Sequence, residues 1–242
     1  MRKLLTVAVA ATATLAVATA GIAVAADPND AEATLTVTAS PTKAGTKKKP
    51  KNLKVGFKLE VDKPGTTVEV IEMLLPKGTK ISGKGFKKCN IDDLIAQGPD
   101  ACPSGSKAGL TGTATAVIEP GGAPLDFEVT PFVGGSTTFL FYLNGINGNG
   151  VQTAIKGEIT NKGHKLRITI PFELRQPAGL DATLTSIDAT FKGKSGKNAI
   201  VSSTKCKGGK HKVTGTLEFA TRANGTAGPA PSSLTEKVKC SK

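Results

Sequence analysis

The chain has 242 residues, 21% of them charged and 4% aromatic, with no Trp, one Tyr and a formal net charge of +13. All but four of its 32 basic residues are Lys, the exceptions being Arg2, Arg167, Arg175 and Arg222. Arg is the side chain of bidentate phosphate and base reading, so this balance argues against specific nucleic-acid recognition and for diffuse attraction to anionic polymers. The lack of Trp also counts against sugar sites that stack rings on aromatic faces.

Arg2 and Lys3 open the chain with positive charge, and an apolar run from Leu4 to Ala26 follows, built mainly of Ala, Val, Leu and Thr. It ends in Ala23-Val24-Ala25 ahead of the polar Asp27-Pro28-Asn29-Asp30. That order predicts a secretory signal peptide over residues 1–25, with release before Ala26. An uncleaved anchor is the competing reading, because about 20 apolar residues can span a bilayer. Ala and Thr insert weakly beside Leu and Ile, which favours cleavage. The first Cys is Cys89 and residues 236–242 are polar, so neither a lipid-accepting Cys nor a hydrophobic tail is expected. No transmembrane segment is expected in the mature chain, 26–242, which is read as secreted or extracytoplasmic. Without Arg2 and Lys3 its charge is +11.

Strand follows strand in that mature part. Apolar and polar residues alternate over 33–38, 53–61, 67–73, 166–170, 183–188 and 213–219, the period of a half-buried strand. Turn signals separate these runs, among them Lys63-Pro64-Gly65, Asn144-Gly145 and Asn147-Gly148-Asn149-Gly150. About a dozen strands at such intervals predict one all-β domain, an antiparallel β-sandwich, Ig-like or larger, with a closed barrel as the alternative.

One segment departs from this pattern. Asn90 as cap, Asp92 and Asp93 in the first turn and Gly98-Pro99 as a stop predict a short helix near 91–97, with Ile91, Leu94 and Ile95 inward. The stretches 43–51, with five Lys, and 223–233, rich in Gly and Pro, read as exposed loops. The Phe residues, including Phe139, Phe141, Phe172, Phe191 and Phe219, are assigned to the core.

Four Cys in an exported chain suggest two disulfides, for which three connectivities exist. The spacing favours Cys89–Cys102 and Cys206–Cys240, each closing a local loop. No C-x-x-C pair occurs, which argues against zinc-ribbon and thioredoxin-like sites.

The residues form no catalytic signature. His164 follows Gly163, His211 stands two residues after Gly209, and both are beside Lys, so they read as exposed turn-flanking residues rather than metal ligands or bases. Ser104-Gly105-Ser106 and Gly134-Gly135-Ser136 do not make a nucleophile elbow. Calcium-loop and phosphate-cradling motifs are missing from the sequence. No cofactor, metal ligand or catalytic residue is therefore predicted.

Between Leu75 and Thr115 the chain carries Leu75-Pro76-Lys77-Gly78, then Lys88-Cys89, then Gly98-Pro99-Asp100-Ala101-Cys102-Pro103-Ser104-Gly105-Ser106-Lys107-Ala108-Gly109. This resembles a group of secreted proteins of unassigned function from high-GC Gram-positive (actinobacterial) bacteria, in which an LP-x-G strand end precedes a Cys, a short helix and G-P-x-x-C-P-x-G-S-K-x-G. The resemblance implies a Cys89–Cys102 bridge and a sandwich-like fold, and no activity.

The expected function is that of an exported, non-enzymatic cell-envelope or extracellular protein. Its Lys47, Lys48, Lys49, Lys51 and Lys54 would meet anionic wall polymer or membrane headgroups electrostatically. The bland alternative is that these Lys only keep an exported sandwich in solution. Rival classes are a secreted hydrolase with dispersed carboxylates and a small-molecule or lipid carrier with a cavity between its sheets.

Overall fold

Alternation of side chains builds the molecule. In the long second strand Leu53, Val55, Phe57, Leu59 and Val61 are buried while Lys54 and Lys58 face water. A computed structural model describes residues 33–63 and 65–242; the expected leader, 1–25, lies outside the described residues. The strands are β1 (Ala33–Ser40), β2 (Lys51–Val61), β3 (Val68–Leu74), β4 (Thr79–Ile81), β5 (Gly109–Glu119), β6 (Pro124–Val133), β7 (Thr138–Gly145) and β8 (Gln152–Thr160). They continue as β9 (Lys165–Thr169), β10 (Asp181–Phe191), β11 (Lys194–Ser195), β12 (Asn198–Ala199), β13 (Val201–Ser203), β14 (Lys210–Phe219) and β15 (Ser232–Lys239). Two short helices interrupt them, α1 (Ile91–Gln97) and α2 (Phe172–Arg175).

All pairings between these strands are antiparallel. The main sheet runs β15-β14-β3-β9-β8-β7-β6-β5-β10-β2, with β1 on β2 and with β13 and β4 beyond the start of β2. It curls until β1 packs against β15, and Lys43 and Ser241 form a parallel bridge just past that contact. The fold is thus the expected all-β, sandwich-like one, with its opposing walls continuous through hydrogen bonds. Register shifts between β10 and β5, at Leu184/Ser186 and Asp188/Thr190, bend the sheet where it turns.

The core lies between the walls. Phe191 of β10 packs on Phe57, Phe139 and Phe141 with ring centroids 6.0, 5.3 and 6.0 Å away. Gly157 of β8 leaves room for this cluster: a Cβ there would stand 2.7 Å from a ring carbon of Phe141. At the β7–β8 turn Asn147 and Gly148 take φ of 56° and 85°, the left-handed pair a tight hairpin requires.

The helix α1 has the expected bounds. Asn90 Oδ1 accepts from the backbone N–H of Asp92 at 2.7 Å, and Gly98 ends the helix at φ 78°. Leu94 is fully buried against Leu140, Tyr142 and Ala154 on the outer face of β7 and β8. The inward assignment of Ile95 is corrected: it is 40% exposed, because a helix of seven residues lying on a sheet buries only one narrow stripe. Covered by α1 outside and by the core inside, β7 is buried on both faces from Phe139 to Leu143.

Both favoured disulfides are present, Cys89–Cys102 and Cys206–Cys240, with Cα–Cα distances of 4.8 and 5.8 Å. Two other expectations change. Phe172 is 57% exposed on α2 rather than in the core. His211 is buried within β14, in phase with Val213 and Leu217, and His164 is half-buried. Among the described residues, no helix is long and apolar enough to cross a membrane.

Candidate functional site

The strand registers sort the connections into two ends. Lys51 of β2 lies level with Ser203 of β13, and the pairings carry that level to the end of β3, the start of β9 and the start of β14. At this end lie 41–50, 75–78, 82–108, 134–137, 161–164, 192–200, 204–209 and the C-terminus. Every one of these segments except 134–137 contains Lys, and their only acids are Asp92, Asp93 and Asp100, all near α1. Lys47, Lys48, Lys49, Lys51 and Lys54 are exposed here.

The structure adds partners that lie far off in sequence. Exposed Lys77, Lys80, Lys162, Lys205, Lys207, Lys210, Lys239 and Lys242 share this end. The Lys205 side chain lies over Gly78, where an added Cβ would meet its Cγ at 2.5 Å. Among the described residues only Lys58 and Lys165 form Lys ion pairs, so at this end only Lys165, at the start of β9, is compensated by a contact.

The segment that presents Lys47 to Lys49 is anchored. Ala44 N–H donates to Ser241 O at 2.9 Å, Gly45 N–H to Ser203 O at 3.1 Å, and Thr46 N–H to Lys49 O at 3.0 Å. Cys206 and Cys240 join the two strands beside it. The loop is exposed, as expected, yet its base is tied to two other parts of the chain, at Ser203 and Ser241.

At the opposite end two acids stand together. Asp181 and Glu119 stand level across β10 and β5, and Arg222 bridges them with Nε 3.1 Å from Asp181 Oδ2 and Nη2 2.8 Å from Glu119 Oε2. Asp181 also accepts from Ala223 N–H and Gln176 Nε2, at 2.9 and 3.2 Å. Glu119 accepts from Gly65 N–H and Thr183 Oγ1, at 2.7 and 2.9 Å. Burial opposes ionisation of Asp181, but the donors Ala223, Arg222 and Gln176 outweigh it and hold the carboxyl below its usual value. These two carboxylates are engaged in binding the chain to itself, which is a latch rather than an acid–base pair.

A cavity of about 260 Å³ opens beside this latch, inside the sheet. Val68, Ile71, Ile168 and Ile170 form one side, Ala114, Ala116, Ala182 and Ile187 the other, and Phe141 lies at depth. Residues 170–180, which include α2, cover its mouth, with Leu174, Arg175 and Pro177 in the lining. Arg175 is held there by Nε donating to Ile170 O at 3.0 Å and by an ion pair to Glu69 at 3.2 Å. A separate hollow on the outer face, beside Ile91, is lined by Lys156, Glu158 and Arg167, and Arg167 is bonded to Glu72 and Glu218.

Neither His joins a constellation. Burial lowers the pKa of His211, and His164 Nδ1 is buried without a hydrogen-bond partner. Among the described residues no three His, Cys, Asp or Glu side chains converge as a metal set.

Sequence reasoning reached the Lys of 43–51 but not the gathering of distant Lys, nor the cavity. It also missed the latch, for which a signal existed: in so Lys-rich a chain, an Arg marks a place where two-pronged geometry is needed. Arg167, Arg175 and Arg222 all make such contacts. Compared with known proteins, the chain matches no family model, and no curated protein matches it either.

Proposed function

We propose that this protein is an exported, non-enzymatic module that attaches through its basic end to anionic polymers or headgroups of the cell envelope. The observation that carries the reading is the segregation of Lys: seven of the eight segments at one end contain it, their Lys form no ion pairs among the described residues, and their acids lie only beside α1. Scattered Lys would suffice for solubility; one-ended Lys on an anchored base creates a field that orients the molecule toward a negative surface. The near-absence of Arg fits a diffuse polyanion better than a ligand read by bidentate contacts. Export is supported by the pattern of residues 1–25 and by two disulfides, which persist in oxidising compartments.

The experiment is retention on isolated cell envelopes as salt is raised. The reading expects strong retention at about 0.05 M salt and release well before about 0.5 M, since the Debye length shrinks from over 10 Å toward a few ångströms. Retention that does not change with salt, or that never occurs, would overturn it.

A further inference from the structure

The cavity beside the latch lies at the end opposite the basic surface. Its cause is local: β5 and β10 contribute Ala114, Ala116 and Ala182 where neighbouring positions carry Phe127, Leu125 and Ile118. Protein interiors contain few voids larger than one water. This one, about 260 Å³, is many times the roughly 10–15 Å³ that holds one water. Water is a poor occupant, because apart from Glu173 and Arg175 at the mouth the lining side chains are apolar. The cavity exceeds the roughly 150 Å³ apolar void known to accept benzene and approaches the about 300 Å³ lower bound of small-molecule sites.

Its shape narrows the choice. The lining follows every second residue of β6 from Leu125 to Val129, a run of roughly 13 Å at about 3.3 Å per residue. An apolar lining continued over that length suits an elongated, flexible chain better than a compact polar ligand. Val151, 37% exposed, lies in the lining, so the channel reaches the surface. Phe172 and Leu180, 57% and 46% exposed, belong to the covering segment and give it an apolar outer surface.

We propose that this channel binds one unbranched alkyl or acyl chain of about ten carbons, inserted tail-first beneath residues 170–180 with its polar head left in water. Gln176 keeps the cover in place from one side, donating to Asp181 at 3.2 Å and to Thr221 O at 2.9 Å.

Calorimetry of the purified intact protein with decan-1-ol and decanoate tests this. Saturable one-to-one binding is expected, weakened at least tenfold by Ala116→Phe, which fills the channel, with the melting temperature kept or raised. If Ala116→Phe fails to fold, Ala182→Leu narrows the same channel with a smaller change. Methyl NMR supplies a second readout: ligand must shift Ile155 and Ile168. Comparing decanoate with decanoyl-lysophosphatidylglycerol assigns the source, the free acid if the first binds tighter and a membrane lipid if the second does. No saturable binding of any C8–C14 chain, unchanged affinity in the filled variant, or shifts confined to Phe172 and Leu180 would overturn the proposal.

Discussion

Asp181 and Glu119, level with each other across β10 and β5, share one cation: Arg222 reaches both, at 3.1 and 2.8 Å. Two carboxylates side by side on a sheet repel each other, and the Arg converts that repulsion into a joint between β5, β10 and the chain after β14.

Removing the cation should therefore cost more than removing an ordinary surface Arg. Asp181 is 7% exposed at its side chain and Glu119 16%, while Arg222 retains 27%. Loss of one partner of a fully buried pair costs about 3–5 kcal/mol; with this partial exposure, Arg222→Met should cost about 2 kcal/mol in urea unfolding. Adding Glu119→Gln and Asp181→Asn to Arg222→Met should recover a large part of it. A single variant as stable as the wild type would contradict the latch.

The same joint gives the protein an acid limit. The folded-state pKa of Asp181 lies below 3.8, so its contribution is complete above that value and vanishes as pH falls through the depressed one. His211 acts in the same direction at higher pH. Burial lowers its pKa from 6.5, so the unfolded chain takes up its proton first and stability drops as pH falls below 6.5. Unfolding free energy measured between pH 7 and pH 5 should decline in the wild type and flatten in His211→Phe. An identical slope in the variant would remove His211 from the account.

The two disulfides should differ in effect. They close loops with sequence separations of 13 and 34 residues, worth about 3 and about 4 kcal/mol by loop entropy. Losing Cys206–Cys240 should also free the basic segment, because Ala44 bonds to Ser241 and Gly45 to Ser203 beside it. Hydrogen exchange at the Ala44 and Gly45 amides should accelerate in Cys206→Ser/Cys240→Ser and stay slow in Cys89→Ser/Cys102→Ser.

Gly157 is required by its neighbour rather than by its backbone. A Cβ would come within 2.7 Å of Phe141 and 3.2 Å of Leu166, so Gly157→Ala should lower stability by about 1–3 kcal/mol as the aromatic cluster shifts. A rise in melting temperature, the usual effect of replacing a strand glycine, would show that the core gives way more easily than its packing implies.

How much could be read beforehand follows from the range of each interaction. The strands, α1 and the two bridges are local: period-two alternation in β2 and β14, an Asn cap two residues from the N–H it receives, and Cys pairs closing short loops. His211 was legible as well, since it lies in phase with Val213 and Leu217, but the adjacent Lys210 and Lys212 mask it in a reading by neighbours. The basic end and the channel could not be read that way. Lys47 and Lys205 come to one end only through the pairing of β2 with β13, and Ala114 and Ala182 come to line one channel only through that of β5 with β10. Such convergence depends on sheet order, which no single segment encodes.

The claim that the basic end is the attachment surface is tested most directly by the salt dependence of binding to linear polyphosphate and to isolated envelopes. The comparison is between the wild type and a variant with Lys47, Lys48, Lys49, Lys51 and Lys54 changed to Gln. For a polyanion, the slope of log affinity against log salt counts the cationic contacts, at roughly 0.7–0.9 per contact. The variant should bind at least tenfold more weakly at low salt, with a shallower slope by about two to four and unchanged melting. Equal affinity and equal slope in the two proteins would contradict the account.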